Sequence, residues 1–198
     1  MPGPEDLADR RGLGRTVYEP AEDSHLLATT AVEWLGADAG GDLVLDLGTG
    51  SGYVGARVAS ETGARVVASD LNPHSCRRAR DGGLPAVRAD LFDPFRDGAF
   101  DAVLFNPPYL PTPPELEWDD WEELALSGGE SGLRVVGPFL RSVRRVLAPA
   151  GEALVLASSL TGLGAVDDIA GEAGLDTREI AEESFPFERL VVLSVRPA

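Results

Sequence analysis

Leu43-Val44-Leu45-Asp46-Leu47-Gly48-Thr49-Gly50-Ser51-Gly52 runs from an apolar strand straight into a glycine-rich turn. Glycines let a backbone approach a ligand closely, and the helix expected after them offers free N–H groups. Further along, Val66-Val67-Ala68, Phe100-Asp101-Ala102-Val103-Leu104-Phe105 and Ala153-Leu154-Val155-Leu156 are equally apolar. Continuous apolar runs belong to strands covered on both faces. Strands are expected at 43–47, 64–69, 84–89, 100–105 and 152–158, with helices between them. This alternation predicts an α/β fold, a doubly wound, mainly parallel sheet. Two more strands, near 176–183 and 190–195, flank Phe185-Pro186-Phe187 and read as an antiparallel hairpin. The whole is a seven-stranded sheet.

Ahead of the first strand, Leu26, Leu27, Thr30, Ala31 and Trp34 share one face of a helix that runs to about Leu35. A second helix, at about 132–147, is expected to end in a turn at Ala148-Pro149-Ala150-Gly151. Residues 1–17 lack periodicity and are expected to be a mobile lead-in. With no repeat or linker, residues 1–198 read as a single domain.

Net charge is −16, from 33 Asp and Glu against 17 basic residues, every one an arginine. Such a surface repels phosphate backbones and argues against direct nucleic-acid binding. Acidity with arginine in place of lysine resembles the proteome of a salt-loving or high-GC organism. The lone Cys76 excludes an intrachain disulfide and a cysteine-based metal site. There is no run long enough to span a bilayer, and the first residues lack a signal-peptide pattern, so a cytoplasmic protein is expected.

Gly50, Gly52 and Gly55 spell G-x-G-x-x-G, which alone would also suit a dinucleotide. Three acids count against that. Asp46 stands at the first strand end, where it would repel a pyrophosphate yet hold a cation. Asp70, followed by Leu71, closes the second strand, placed for ribose hydroxyls. Asp90, followed by Leu91, closes the third, placed for an adenine amino group. A ligand with an adenosine part, a positive centre and no phosphates fits this set better than NAD.

The fourth strand ends on Asn106-Pro107-Pro108-Tyr109. Prolines supply no N–H and fix φ, so the ladder stops on a stiff ledge. Its polar groups are mostly acceptors, the Asn106 side-chain oxygen and the carbonyls of Asn106 and Pro107. They suit a planar –NH2 group.

Asp46-x-Gly48-x-Gly50-x-Gly52, with Asp70 and Asp90 at successive strand ends, resembles the class I S-adenosyl-L-methionine-dependent methyltransferases. That resemblance implies a Rossmann-like fold, with the glycine turn beside the methionine part, Asp70 with Leu71 at the ribose, and Asp90 with Leu91 at adenine. Asn-Pro-Pro-Tyr resembles the motif of amino methyltransferases that modify planar nitrogens. There Asn106 and Pro107 orient the nitrogen, Pro108 stiffens the turn and Tyr109 packs on the planar group.

Two flanks narrow the resemblance. Tyr18-Glu19-Pro20-Ala21-Glu22-Asp23-Ser24 is similar to the N-terminal signature of the HemK-like protein glutamine methyltransferases. Leu126-Ser127-Gly128-Gly129-Glu130-Ser131-Gly132 is similar to their Gly-Gly-x-x-Gly. The match is to the small single-domain archaeal and eukaryotic branch. It implies Tyr18, Pro20, Glu22 and Ser24 at the cofactor and substrate entrance. The implied substrate is the glutamine of the Gly-Gly-Gln tripeptide in class I peptide release factors. It further implies a heterodimer with a small zinc-binding activator protein, which would pair with the third strand at the sheet edge.

Alternatives are a nucleic-acid or small-molecule amino methyltransferase, a protein lysine methyltransferase and a non-catalytic cofactor-binding subunit. Lysine fits the ledge poorly, because an ammonium carries three donors and must first lose a proton. The intact acids argue against a non-catalytic subunit. His25 and His74 read as structural or exposed rather than as bases, and Cys76 as packing on the helix after the second strand. The acidic stretch Glu115–Glu123, with Trp118 and Trp121, would cover the site, meet a basic substrate or form a solvated helix.

Overall fold

The computed structural model describes residue 17, residues 19–113 and residues 121–198. The expected lead-in, Tyr18 and most of Glu115–Glu123 lie outside the described residues.

The elements follow one another as α1 (Glu22–Leu35), β1 (Leu43–Leu47), α2 (Tyr53–Thr62), β2 (Arg65–Asp70), α3 (Pro73–Asp81) and β3 (Ala86–Arg88). The second half contains β4 (Phe100–Phe105), α4 (Trp121–Leu126), α5 (Val136–Val146), β5 (Leu147–Ser158), α6 (Leu163–Glu172), β6 (Leu175–Phe185) and β7 (Glu188–Pro197). The sheet order is β3-β2-β1-β4-β5-β7-β6. Strands β1 to β5 are parallel, and β7 enters antiparallel between β5 and β6. Strand order reverses between β1 and β4, so a crevice opens above their carboxyl ends.

Side chains alternate across the central strands and feed two cores. Leu45, Leu47, Val103 and Phe105 face Phe139 and Val143 of α5 and Val166 of α6. Val44, Ala102, Leu104 and Leu154 face Leu27, Ala28 and Ala31 of α1 and Val54 and Val58 of α2. That double coverage is why β1 and β4 are apolar except for Asp46 and Asp101.

Three local expectations are corrected. The buried face of α1 runs through Leu27, Ala28, Thr30 and Ala31, while Trp34 is 37% exposed although Val32 and Leu35 beside it pack on the core. Ala148-Pro149-Ala150-Gly151 is a bulge inside β5 rather than a turn before it. Phe100 faces Leu147 while Ala102 already faces Glu152. Gly151 permits this, since a Cβ there would stand 2.8 Å from the Phe100 carbonyl oxygen. Finally β3 is shorter than 84–89. Pro85 has no N–H for the ladder, although its carbonyl accepts from Ala68 N at 2.8 Å.

Phe139 is the largest fully buried side chain among the described residues. Its ring lies 4.6 Å from that of Phe105 and 5.6 Å from that of Phe92. Phe105 immediately precedes the ledge, so this stack sets the height of Asn106. Phe139→Ala is expected to cost about 3–5 kcal/mol in chemical denaturation. Methyl transfer should fall along with stability, and a loss below about 1 kcal/mol would deny the stack this role.

Candidate functional site

A cavity of about 300 Å³ fills the crevice over β1, β2 and β4. Its floor is the glycine turn. Gly48, Gly50 and Gly52 all have positive φ, at 63°, 51° and 83°. A Cβ on Gly48 would stand 3.3 Å from the Phe105 ring, so the turn can sit directly on the end of β4. Gly55, one turn into α2, is equally constrained: a Cβ there would stand 2.7 Å from Asp46 Oδ2. Helix α2 can therefore press its first turn onto that carboxylate.

Asp46 is buried beneath the turn, where its Oδ2 accepts from Thr49 Oγ1 at 2.5 Å and from Gly55 N at 3.0 Å. Burial pushes its carboxyl up to about 6, against the relief of those hydrogen bonds and with a further push from Asp70. Asp70 holds the turn from the neighbouring strand. It accepts from Gly50 N at 3.0 Å and from Asn72 N at 2.8 Å, and burial again raises its pKa. A carboxylate offers about four lone-pair sites, so oxygen capacity remains for ribose hydroxyls. Asp90 is exposed at the far wall, and Leu71 and Leu91 line the cavity between the two acids. Leu71 is 46% exposed. Leu91 has φ 45°, a left-handed conformation uncommon for a branched residue. An apolar residue held there in strain and another left bare are suited to the two faces of a planar base.

The ledge closes the opposite wall with Asn106, Pro107, Pro108 and Tyr109. Asn106 Oδ1 is buried and has no hydrogen-bond partner among the described residues. Such an oxygen is normally satisfied, and leaving it bare costs about 1–3 kcal/mol. The ledge cannot relax to cover it, because the following chain is clamped. Leu110 N donates to Leu126 O at 3.1 Å, Gly128 N to Leu110 O at 2.9 Å and Thr112 N to Gly129 O at 2.9 Å. The Gly-Gly-x-x-Gly loop makes this clamp possible. A Cβ on Gly132 would meet the Tyr109 carbonyl at 2.7 Å and collide with Thr161, and one on Gly128 would meet Gly132 at 2.6 Å.

The remaining sequence-predicted residues are distributed unevenly. Ser24 lines the cavity. Pro20 borders a separate shallow recess with Arg78 and Leu84, and Glu22 is exposed in the first turn of α1, so neither lines the main cavity. Tyr18 lies outside the described residues. Glu19 ties this segment to α3 through a two-pronged ion pair with Arg78, at 2.6 and 2.8 Å. His25 Nδ1 lies 2.7 Å from the Tyr53 hydroxyl at the exposed edge, while Cys76 is buried on α3. Sequence reasoning passed over Asp23, Arg134, Ala125 and Leu126, all of which line the cavity. Trp121 also lines it, as the described end of the acidic stretch. Arg134 is the one basic side chain lining the cavity among the described residues. Its only sequence signal was its position two residues beyond the glycine loop.

Residues 44–121 match the model of the methyltransferase domain family. A candidate protein N5-glutamine methyltransferase of Methanocaldococcus jannaschii is 32% identical over 184 residues, covering 90% of each chain. Methyltransferase HEMK2 of Mus musculus is 37% identical over 156 residues, 71% of each chain. The chain belongs to the HemK-like protein glutamine methyltransferases. The Mtq2 chain of an E. cuniculi Mtq2–Trm112 complex superposes with a TM-score of 0.74 at 28% identity, over 92% of this chain and 99% of that one.

As a class I methyltransferase the protein takes its methyl group from S-adenosylmethionine. The cavity fits that donor on its own chemistry. Asp46 and Asp70 offer acceptors of the kind an ammonium and ribose hydroxyls need, Gly48, Gly50 and Gly52 put no side chain into the cavity, and among the described lining residues Arg134 is the one cation.

The raised Asp46 pKa has a sign that can be measured. Between the ordinary 3.8 and about 6, the folded protein keeps a proton that the unfolded chain has released. Ligand-free stability from this group is therefore greatest below the lower value and falls as pH rises through 6, by up to roughly 3 kcal/mol. Asp46→Asn should flatten that part of the stability profile. Cofactor affinity should run the other way and weaken below about pH 6, as the carboxylate loses its charge. A wild-type affinity flat from pH 5 to 7 (tested by calorimetry) would contradict the role of Asp46.

Proposed function

We propose that this methyltransferase modifies the side-chain amide nitrogen of the glutamine in the Gly-Gly-Gln tripeptide of a class I peptide release factor. The observation that carries the proposal is the buried Asn106 oxygen with no donor. A primary amide brings two N–H donors in one plane. One would satisfy Asn106 Oδ1 and the other the Pro107 carbonyl, while Tyr109 packs against the plane. The M. jannaschii relative is named for N5-glutamine, and the E. cuniculi complex is described as responsible for methylation of the termination factor eRF1. Both agree with this reading.

The cofactor supplies an electrophilic methyl on a sulfonium sulfur. What the chain adds is position and dryness. An amide nitrogen is a poor nucleophile because its lone pair is delocalised into the carbonyl. Accepting both N–H bonds shifts electron density back onto nitrogen and fixes its approach in line with the methyl. The prolines hold that geometry without reorganisation, and the apolar cavity walls exclude water. The extra proton on the methylated amide is strongly acidic and leaves to solvent, so neither histidine is required. Asp46, Asp70 with Leu71, and Asp90 with Leu91 are assigned to the cofactor's ammonium, ribose and base. Ser24, Gly48, Gly50 and Gly52 are assigned to its methionine part, and Tyr18, Pro20 and Glu22 to the entrance.

The proposed working unit is this single domain joined to a small zinc-binding activator, in the cytoplasm. Strand β3 is one of the two end strands of the sheet, the other being β6, and with Ala86 and Val87 half-buried it offers an edge for strand addition. The Mtq2 relative is described in a complex with Trm112, which supports a partner of this kind.

Transfer of labelled methyl to purified release factor tests the substrate. Wild-type factor should be labelled and the Gln→Ala factor should not; equal labelling would overturn the assignment. Asn106→Ala should lower kcat by at least about 100-fold while leaving cofactor affinity within about tenfold. A collapse of cofactor affinity instead would mean that Asn106 serves the donor, not the acceptor.

A further inference from the structure

Large apolar side chains are exposed at few described positions, namely Trp34, Leu71, Leu110, Leu160 and Phe187. Leu71 belongs to the cavity and Trp34 to the far end of α1. The other three stand on consecutive pieces of one rim. Leu110 follows the ledge directly and is paired with the glycine loop. That loop touches the short turn Ser159–Thr161 where Gly132 meets Thr161. Leu160 lies in this turn, 45% exposed. The turn in turn holds the tip of the β6–β7 hairpin, where Phe187 is 94% exposed.

That tip is pinned rather than loose. Ser158 Oγ donates to Glu188 Oε1 at 2.6 Å, and Arg189 N donates to Ser159 Oγ at 2.9 Å. Arg189 is further engaged by Glu179 and Glu182, each at 2.8 Å. An aromatic ring almost fully in water, on a hairpin tip anchored by the two residues that follow it, is presented to something. Rigid aromatic anchors with little side-chain entropy left to lose are the usual centres of binding energy. Strands β4, β5 and β7 are consecutive in the sheet, so the tip stands two strand spacings, about 10 Å, across from the strand that carries Asn106. A free amino acid or base in the cavity cannot reach it. A folded protein whose loop enters the cavity can.

Acidic side chains frame the rim. Glu130 in the glycine loop and Glu182 and Glu183 on β6 are exposed, and Glu188 sits beside Phe187. Arg189 is already paired with Glu179 and with Glu182 itself, and Arg134, behind the glycine loop, donates to the Ser127 carbonyl. The complementary surface is an apolar contact ringed by lysine or arginine.

We propose that Leu160 and Phe187, continuous with Leu110, form a docking rim for the body of the protein substrate, through an apolar patch with a basic border. This rests on the proposed protein-glutamine activity and adds where the substrate is gripped outside the cavity. It lies across the sheet from β3, so substrate and activator would occupy opposite flanks.

The double variant Leu160→Ser/Phe187→Ser tests it, in the full chain with the activator from the same host. Methyl transfer is followed on intact release factor and on a short peptide carrying Gly-Gly-Gln. KM for the intact factor should rise about tenfold with kcat near wild type, and peptide kinetics should stay within about twofold. The single variant Phe187→Leu should keep most of the affinity. An unchanged KM for intact factor would overturn the proposal, as would an equal loss on peptide and factor, which would place the effect in the cavity. Loss of activator co-purification, or a wild-type dimer in sedimentation that the double variant dissolves, would assign the rim to another occupant and likewise overturn it. If the wild type transfers methyl to neither factor nor peptide, the glutamine reading itself fails and the rim falls with it. That result is distinguishable, because it appears before any variant is made.

Discussion

Asn106 Oδ1 is buried with no donor among the described residues, and the surrounding structure keeps it so. Below it, Phe105 is wedged between Gly48 and Phe139, which fixes where β4 ends. Beyond it, two prolines forbid any further ladder, and the glycine loop clamps the chain from Leu110 onward. A side-chain oxygen held bare in this way carries a standing cost of about 1–3 kcal/mol. A ligand that donates a hydrogen bond to it recovers that cost on binding. The ledge is thus selective before it is catalytic, because a group without donors would leave the cost in place.

The other half of the cavity works by charge. Asp46 is buried far enough that burial outweighs its two hydrogen bonds and raises its pKa to about 6. Asp70 spends part of its capacity holding Gly50 and Asn72. A cation placed above Asp46 relieves its burial, and hydroxyls placed beside Asp70 fill what the backbone leaves open. A phosphate would meet only repulsion there. The same acids that shape the turn therefore select the donor, and the glycines matter for approach: Gly48 combines a positive φ with a tight contact to Phe105, and Gly55 against Asp46 leaves no room for a Cβ.

What could be read from sequence follows from which forces act locally. The ranges of β1 and β4 are legible because both are central strands whose residues, Asp46 and Asp101 aside, are apolar on both faces. The glycine turn and the acids after β2 and β3 are legible because strand ends are marked by the change from apolar to charged. Trp34 is exposed because helical spacing groups residues on one face but does not fix how wide a part of that face is covered. Pro149 suggested a turn, yet β5 absorbs the extra residues as a bulge against Phe100. Asp23 and Arg134 reach the cavity by the way α1 and the glycine loop cross the crevice, which no local pattern records. The Gly128–Gly132 motif was legible only as resemblance; its reason, contact with Tyr109 and Thr161, is tertiary.

The central claim is that the ledge receives an amide through its N–H groups. Its most direct measurement is calorimetric binding of two short peptides, one ending its tripeptide in Gln and the other in Glu, to the protein loaded with S-adenosylhomocysteine. The two side chains have nearly the same shape, but at neutral pH glutamate has no proton to donate and carries a charge. The Gln peptide is expected to bind at least about tenfold more tightly, the equivalent of one charged or unsatisfied hydrogen bond at a buried acceptor. Equal affinities would contradict the account.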